Sequence, residues 1–143
     1  MTRIDFYSDA ADKLAVAARL VGKALQQQLR VFVYTPDQAL LKRFDQLLWT
    51  MPAIGFTPHC FAHDRIASET PVLLASTAED PPHDQVILNL ADEWPKSFAR
   101  FTRLLEVVTT DPDDRALARE RFRFYRDRGY SIETHSVANV TAS

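Results

Sequence analysis

A single α/β domain, three layers deep around a mostly parallel central sheet, is what this sequence predicts, and three observations carry the prediction. Residues 30–34 (RVFVY), 71–75 (PVLLA) and 86–90 (VILNL) are short runs of β-branched, aliphatic and aromatic residues, the length and composition of strands buried on both faces. The earlier runs alternate with longer segments of helical periodicity, as parallel strands joined by right-handed crossovers require. A chain of 143 residues, 46% hydrophobic and 25% charged, suits one core of this kind. The expected domain spans residues 1–135, with the small, polar residues 136–143 as a flexible tail.

The elements follow in order. Residues 4–7 (IDFY) read as a short first strand, with Ser8 and Asp9 capping an amphipathic helix whose stripe is Leu14, Ala18, Val21 and Leu25. The strand at 30–34 comes next, and Thr35-Pro36-Asp37 opens a second helix that runs through Trp49. Cys60-Phe61 lies in a strand, followed by those at 71–75 and 86–90. Residues 92–100 are expected as a short helix, 104–109 as a strand, 111–129 as a long basic helix, and 130–135 as a last strand.

Several function classes fall away. The first β-to-α turn, Ser8-Asp9-Ala10-Ala11-Asp12, offers two carboxylates where a phosphate-binding loop presents glycine amides and a lysine. The three glycines, Gly22, Gly55 and Gly129, form no dinucleotide fingerprint, so no nucleotide cofactor is expected. His59, Cys60, His63 and Asp64 are potential metal ligands, but no second cluster completes a shell, and neighbouring strand side chains diverge too far for a Cys60–histidine pair. No metal and no catalytic residues are expected. No apolar run approaches bilayer length, the N-terminus lacks a secretory pattern, and one cysteine fits a reducing compartment, so a cytoplasmic location is the expectation. A net charge of −2 argues against binding nucleic acid through the whole surface.

The segment 111–129, DPDDRALARERFRFYRDRG, has both ends marked: Asp111 as N-cap, Pro112 at the first helical position, acids in the first turn, and Gly129 at the close. At about 100° per residue, Arg115, Arg119, Phe122, Arg123 and Arg126 share one sector of roughly a quarter-turn, and Leu117 and Phe124 point to an opposite, packing face. A solvated charged face is the bland reading. Few acids lie at pairing distance, however, and unneutralised like charge fits a ligand-binding role. Arginine forks suit an acidic peptide with a free carboxylate. Direct binding to a phosphate backbone is the competing reading, weakened by the lack of a second basic cluster, and a small enzyme would need a polar pocket that the sequence does not assemble. A second signal is the segment 48–59, where Trp49, Pro52, Phe56, Pro58 and His59 crowd a loop; either its aromatics fold back onto the core or they form a protein-binding patch.

These residues resemble the chi subunit family of bacterial DNA polymerase III: IDFY at the start, LLW-x-x-P-x-x-x-F-x-P-H over 47–59, VILNL over 86–90 and, most specific, LARERFRFYRDRGYSI over 117–132. The likeness spans nearly the whole chain, except residues 64–84. It implies a Rossmann-like α/β fold that binds no nucleotide, in a non-catalytic accessory subunit of the clamp-loader assembly that pairs with the psi subunit and ties the polymerase to single-stranded DNA-binding protein. The tail of that protein would dock on Val108, Arg115, Arg119, Phe122, Arg123 and Arg126, with Arg115 and Arg123 standing where lysine is familiar and Phe122 where tyrosine is. The psi-facing surface would be Trp49, Pro52, Phe56, Pro58 and His59.

Overall fold

The computed structural model describes residues 1–51, 59–61, 71–79 and 81–137. Along the chain come β1 (Arg3–Ala10), α1 (Lys13–Gln26), β2 (Val31–Tyr34), α2 (Gln38–Thr50), β3 (His59–Phe61), β4 (Val72–Ala75) and β5 (Val86–Asn89). A 3-10 turn (Phe98–Arg100), β6 (Arg103–Thr109), α3 (Pro112–Asp127) and β7 (Ser131–Ser136) follow. The seven strands form one sheet in the order β3-β4-β2-β5-β6-β1-β7. Every pairing is parallel, so the antiparallel minority that "mostly" allowed for is missing among the described residues.

Alternation along the strands feeds two cores. Val31, Val33, Val72, Leu74, Val86, Leu88, Leu105 and Val107 point to one face, where Val21 of α1 and Leu41, Phe44 and Leu48 of α2 pack on them. Phe32, Leu73, Ile87, Leu104, Ile4 and Phe6 point to the other, under Phe98, Phe101 and the α3 residues Ala118 and Tyr125. Both faces are covered, which is why the inner strands read as unbroken apolar runs.

Four boundaries differ from expectation, each for a local reason. β1 runs on to Ala10 through an irregularity between Tyr7 and Ala10, with Asp9 at φ 65°, and Asp12 rather than Ser8-Asp9 caps α1. The Asp12 carboxylate accepts from the N–H groups of Leu14 and Ala15, so the helix end that meets phosphate in nucleotide-binding folds already holds an acid. The helix expected over 92–100 is only the 3-10 turn at Phe98–Arg100, because Pro95 has no N–H to donate and restrains Trp94 before it. At the C-terminus, Ser136 completes β7 and Val137 is buried with its N–H on the Ser8 carbonyl. The domain expected to end at 135 therefore continues through 137; residues 138–143 lie outside the described residues.

Charged groups pin the C-terminal edge of the sheet. Asp5, fully buried in β1, accepts from Arg103 Nε of β6 at 2.8 Å and pairs with His135 Nε2 of β7 at 2.9 Å, so one carboxylate spans three neighbouring strands. Burial alone would raise its pKa, but His135, Arg103 and Arg3 together hold it below the usual carboxylate value.

His83, just before β5, is buried with edge contacts to Phe32 and Phe101, and neither ring nitrogen has a hydrogen-bond partner. Burial, helped by the Arg30 charge, pushes its pKa down to about 4. The unfolded chain binds that proton near the ordinary value of about 6.5, so His83 is neutral in both states above pH 6.5 and increasingly destabilises the fold as the pH falls from there toward 4. Urea midpoints measured from pH 7 to pH 4.5 should fall for the wild type, and His83→Leu should remove part of the slope. Equal slopes for the two proteins would contradict the assignment.

Candidate functional site

The best-placed surface is α3, and its position follows from its first and middle turns. Asp111 caps it, accepting from the Asp113 N–H, and Pro112 sits in the first turn. Asp114 then fastens the helix to its surroundings. One oxygen accepts from the N–H (2.8 Å) and hydroxyl (2.9 Å) of Thr109 at the end of β6, and the other holds Lys13 Nζ of α1 at 2.9 Å. These partners outweigh burial and keep the Asp114 pKa below the usual carboxylate value. Gly129 ends the segment at φ 83°, a left-handed conformation that suits glycine at a helix terminus.

The inward face of α3 is not the one expected. Ala118, Arg121 and Tyr125 are buried, whereas Leu117 is 37% exposed. Arg121 donates from Nε to Glu106 Oε1 at 3.1 Å and from an Nη to the Asp92 carbonyl at 2.8 Å. The Tyr125 hydroxyl donates to Glu106 Oε2 at 2.7 Å, and Asn89 Nδ2 reaches both Glu106 oxygens and the Glu93 carbonyl. Glu106 is fully buried, and burial pushes its pKa up against the pull of these partners. Beside the Glu106 carboxylate, burial also raises the Tyr125 pKa, so the phenol stays protonated and donating. The sequence reading missed this network, although a lone acid inside the apolar run LLEVV announces a buried donor set.

With Arg121 drawn inward, the remaining arginines separate cleanly. Arg115, Arg119, Arg123 and Arg126 are exposed, as the helical spacing predicts. Arg126 pairs with Asp127 at 3.2 Å, and the other three make no ion pair with a described residue. Phe122, half-buried, meets Phe6 with ring centroids 5.4 Å apart, and Val108 lies in the same apolar cluster, 8% exposed. The surface is a row of unpaired guanidiniums beside a partly covered aromatic ring. Around the other side of the helix, Phe124 stacks on Trp94 at 3.7 Å and 12°, with Arg128 Cζ 3.8 Å from the Phe124 ring centroid.

The second predicted surface is described only in part. Leu48 and Phe44 of α2 are buried, but Trp49 is 57% exposed, so it does not fold back onto the core. Pro52, Phe56 and Pro58 lie outside the described residues, and His59 opens β3 at the sheet edge. Of the four metal-ligand candidates in the sequence, His63 and Asp64 also lie outside them. Asp5, Glu133 and His135 do bring ligand atoms within 4.8 Å of one another. Asp5, however, already holds Arg103, with Arg3 3.6 Å away, and a carboxylate between two guanidiniums is a poor cation ligand. No helix of the described residues is long and apolar enough to cross a membrane.

Taken together, this is a parallel-sheet α/β domain whose outstanding surface is a basic helix. Residues 1–133 match the model of the family described as DNA polymerase III chi subunit, HolC. The chain is 35% identical to the DNA polymerase III subunit chi of Pseudomonas aeruginosa over 144 residues, covering 98% of this chain and 100% of that one. It is 27% identical to the Escherichia coli K12 subunit over 106 residues (73% and 72%), and 23% identical to that of Haemophilus influenzae over 123 residues (85% of each). The chain belongs to the DNA polymerase III chi subunit family.

The buried network makes a stability prediction. Arg121→Leu leaves Glu106 buried without its cation and should cost about 3–5 kcal/mol, whereas Arg121→Leu with Glu106→Leu should recover most of the loss. Urea unfolding of the two single variants and the double variant checks this; additive losses would contradict a shared network.

Proposed function

We propose that this chain is a non-catalytic adaptor of the polymerase III holoenzyme that grips the acidic C-terminal tail of single-stranded DNA-binding protein through α3 and a psi-type subunit through the Trp49 surface. The observation that carries the reading is the exposed row Arg115, Arg119 and Arg123, left without acidic partners among the described residues beside the half-buried Phe122. Unpaired guanidiniums suit carboxylates, which they hold bidentately, while the ring of Phe122 and the nearby Val108 offer an apolar seat for a terminal side chain. Each exposed pair contributes about 0.2–1 kcal/mol, so a single tail binds modestly, and a partner presenting several tails gains by avidity. Membership of the chi family supports association with the polymerase, and the tail and psi contacts are the finer content of this proposal.

The tail reading is checked by fluorescence anisotropy with a labelled acidic tail peptide and an oligothymidine control. Arg119→Ala should weaken the peptide about two- to fivefold, Arg119→Lys should recover part of that, and affinity should fall as salt rises above about 0.1 M. Peptide binding that ignores Arg119→Ala, or DNA bound more tightly than the peptide at equal salt, would overturn it.

The psi reading is checked on Trp49. Because Trp49 is 57% exposed, Trp49→Ala should lower the melting temperature little while abolishing co-purification with a psi-type partner, and tail binding should persist. A collapsed melt would make Trp49 a structural residue instead.

A further inference from the structure

The connection leaving β2 runs toward the β3 edge and the connection leaving β5 runs toward β6, so the sheet has its topological switch point between those strands. A cleft of about 520 Å³ opens there, at the C-terminal ends of β2, β4 and β5, the place where ligands enter open α/β sheets. Its walls carry Tyr34, Asp37, Glu79, Asp92, Glu93 and Trp94, with Lys96 as the only cation among the described lining residues. Glu79, Asp92 and Glu93 make no ion pair with a described residue, Lys96 included. One wall is the end of a stack: Phe124 lies between the Arg128 guanidinium and the Trp94 indole, and Trp94, 38% exposed, has no ring on its far side among the described residues. Backbone acceptors hold this wall in place, since the Asp92 and Glu93 carbonyls are the ones taken by Arg121 and Asn89.

We propose that this cleft docks an arginine-bearing segment of a partner protein, its guanidinium stacking on Trp94 among Asp92, Glu93 and Glu79. An anion is repelled by four carboxylates facing one lysine. A bare metal ion needs convergent ligand atoms, and among the described residues the only such group is Asp5, Glu133 and His135, on strands β1 and β7 at the other edge of the sheet. An indole face rimmed by carboxylates selects an organic cation, and the planar guanidinium repeats at the open end of the stack the contact that Arg128 makes at its closed end. The volume exceeds what one side chain fills, which leaves room for flanking peptide. This site is independent of the arginine row of α3 and carries the opposite charge, so the domain would hold an acidic partner segment and a basic one on different surfaces.

The test uses the full chain and a capped, fluorescein-labelled peptide of alternating glycine and arginine, beside the same peptide with citrulline, the neutral isostere of arginine. The arginine peptide should saturate by anisotropy, and the citrulline peptide should bind at least about tenfold more weakly. Trp94→Ala and, separately, Glu93→Gln should each weaken the arginine peptide about threefold or more, Glu93→Gln with unchanged melting, while Arg119→Ala leaves it unaffected. Equal binding of the citrulline peptide, absence of saturation, or indifference to both cleft variants would overturn the proposal. So would competition by free arginine amide at the concentration of the peptide itself, since that would make the site one for a small molecule.

Discussion

A carboxylate with no access to water has to find its partners inside the protein, and Glu106 finds them in two elements at once. Arg121 and Tyr125 reach it from α3, and Asn89 reaches it from β5. The same groups continue outward: Arg121 to the Asp92 carbonyl and Asn89 to the Glu93 carbonyl, so the loop after β5 is tied into the network as well. Leaving any of these donors unmet would cost more than an ordinary hydrogen bond contributes, because the dielectric around them is low. The network therefore sets the rotation of α3 about its own axis. Turned to send Arg121 and Tyr125 inward, the helix must send Arg115, Arg119, Arg123 and Arg126 outward.

That rotation gives α3 distinct surfaces. One is buried on the sheet, one is the arginine row flanked by Phe122, and a third carries Leu117, Phe124 and Arg128 beside Trp94. A helix with one amphipathic stripe would have left the last of these against the core. Here the core-facing stripe is narrow and partly polar, and the Trp94 stack shields the half-buried Phe124. The function proposed for the arginine row depends on this separation, since an arginine answering a buried acid is not available to a partner.

Much of the fold was legible because its signals are local. The inner strands announce themselves as apolar runs, and Asp111, Pro112 and Gly129 mark the ends of α3 through groups within one turn of each end. What escaped the sequence depends on distant pairs. Arg121 looked like its five arginine neighbours because its partner Glu106 lies 15 residues away, and Leu117 was assigned inward by periodicity alone. Residues 92–97 looked helical by composition, but Pro95 and the carbonyl contacts of Asp92 and Glu93 hold them otherwise. The exposure of Arg115, Arg119, Arg123 and Arg126 was readable from spacing. Of the second surface, the described residues speak only for Trp49 and for the edge position of His59.

The most direct test of this arrangement is an amide and arginine side-chain NMR titration of the labelled chain with the acidic tail peptide. The account predicts shifts confined to Val108, Arg115, Arg119, Phe122, Arg123 and Arg126, with the Trp94 and Trp49 indole signals and the Arg121 guanidinium unmoved. Shifts centred on Trp94 and the loop after β5, with the exposed arginines silent, would contradict it.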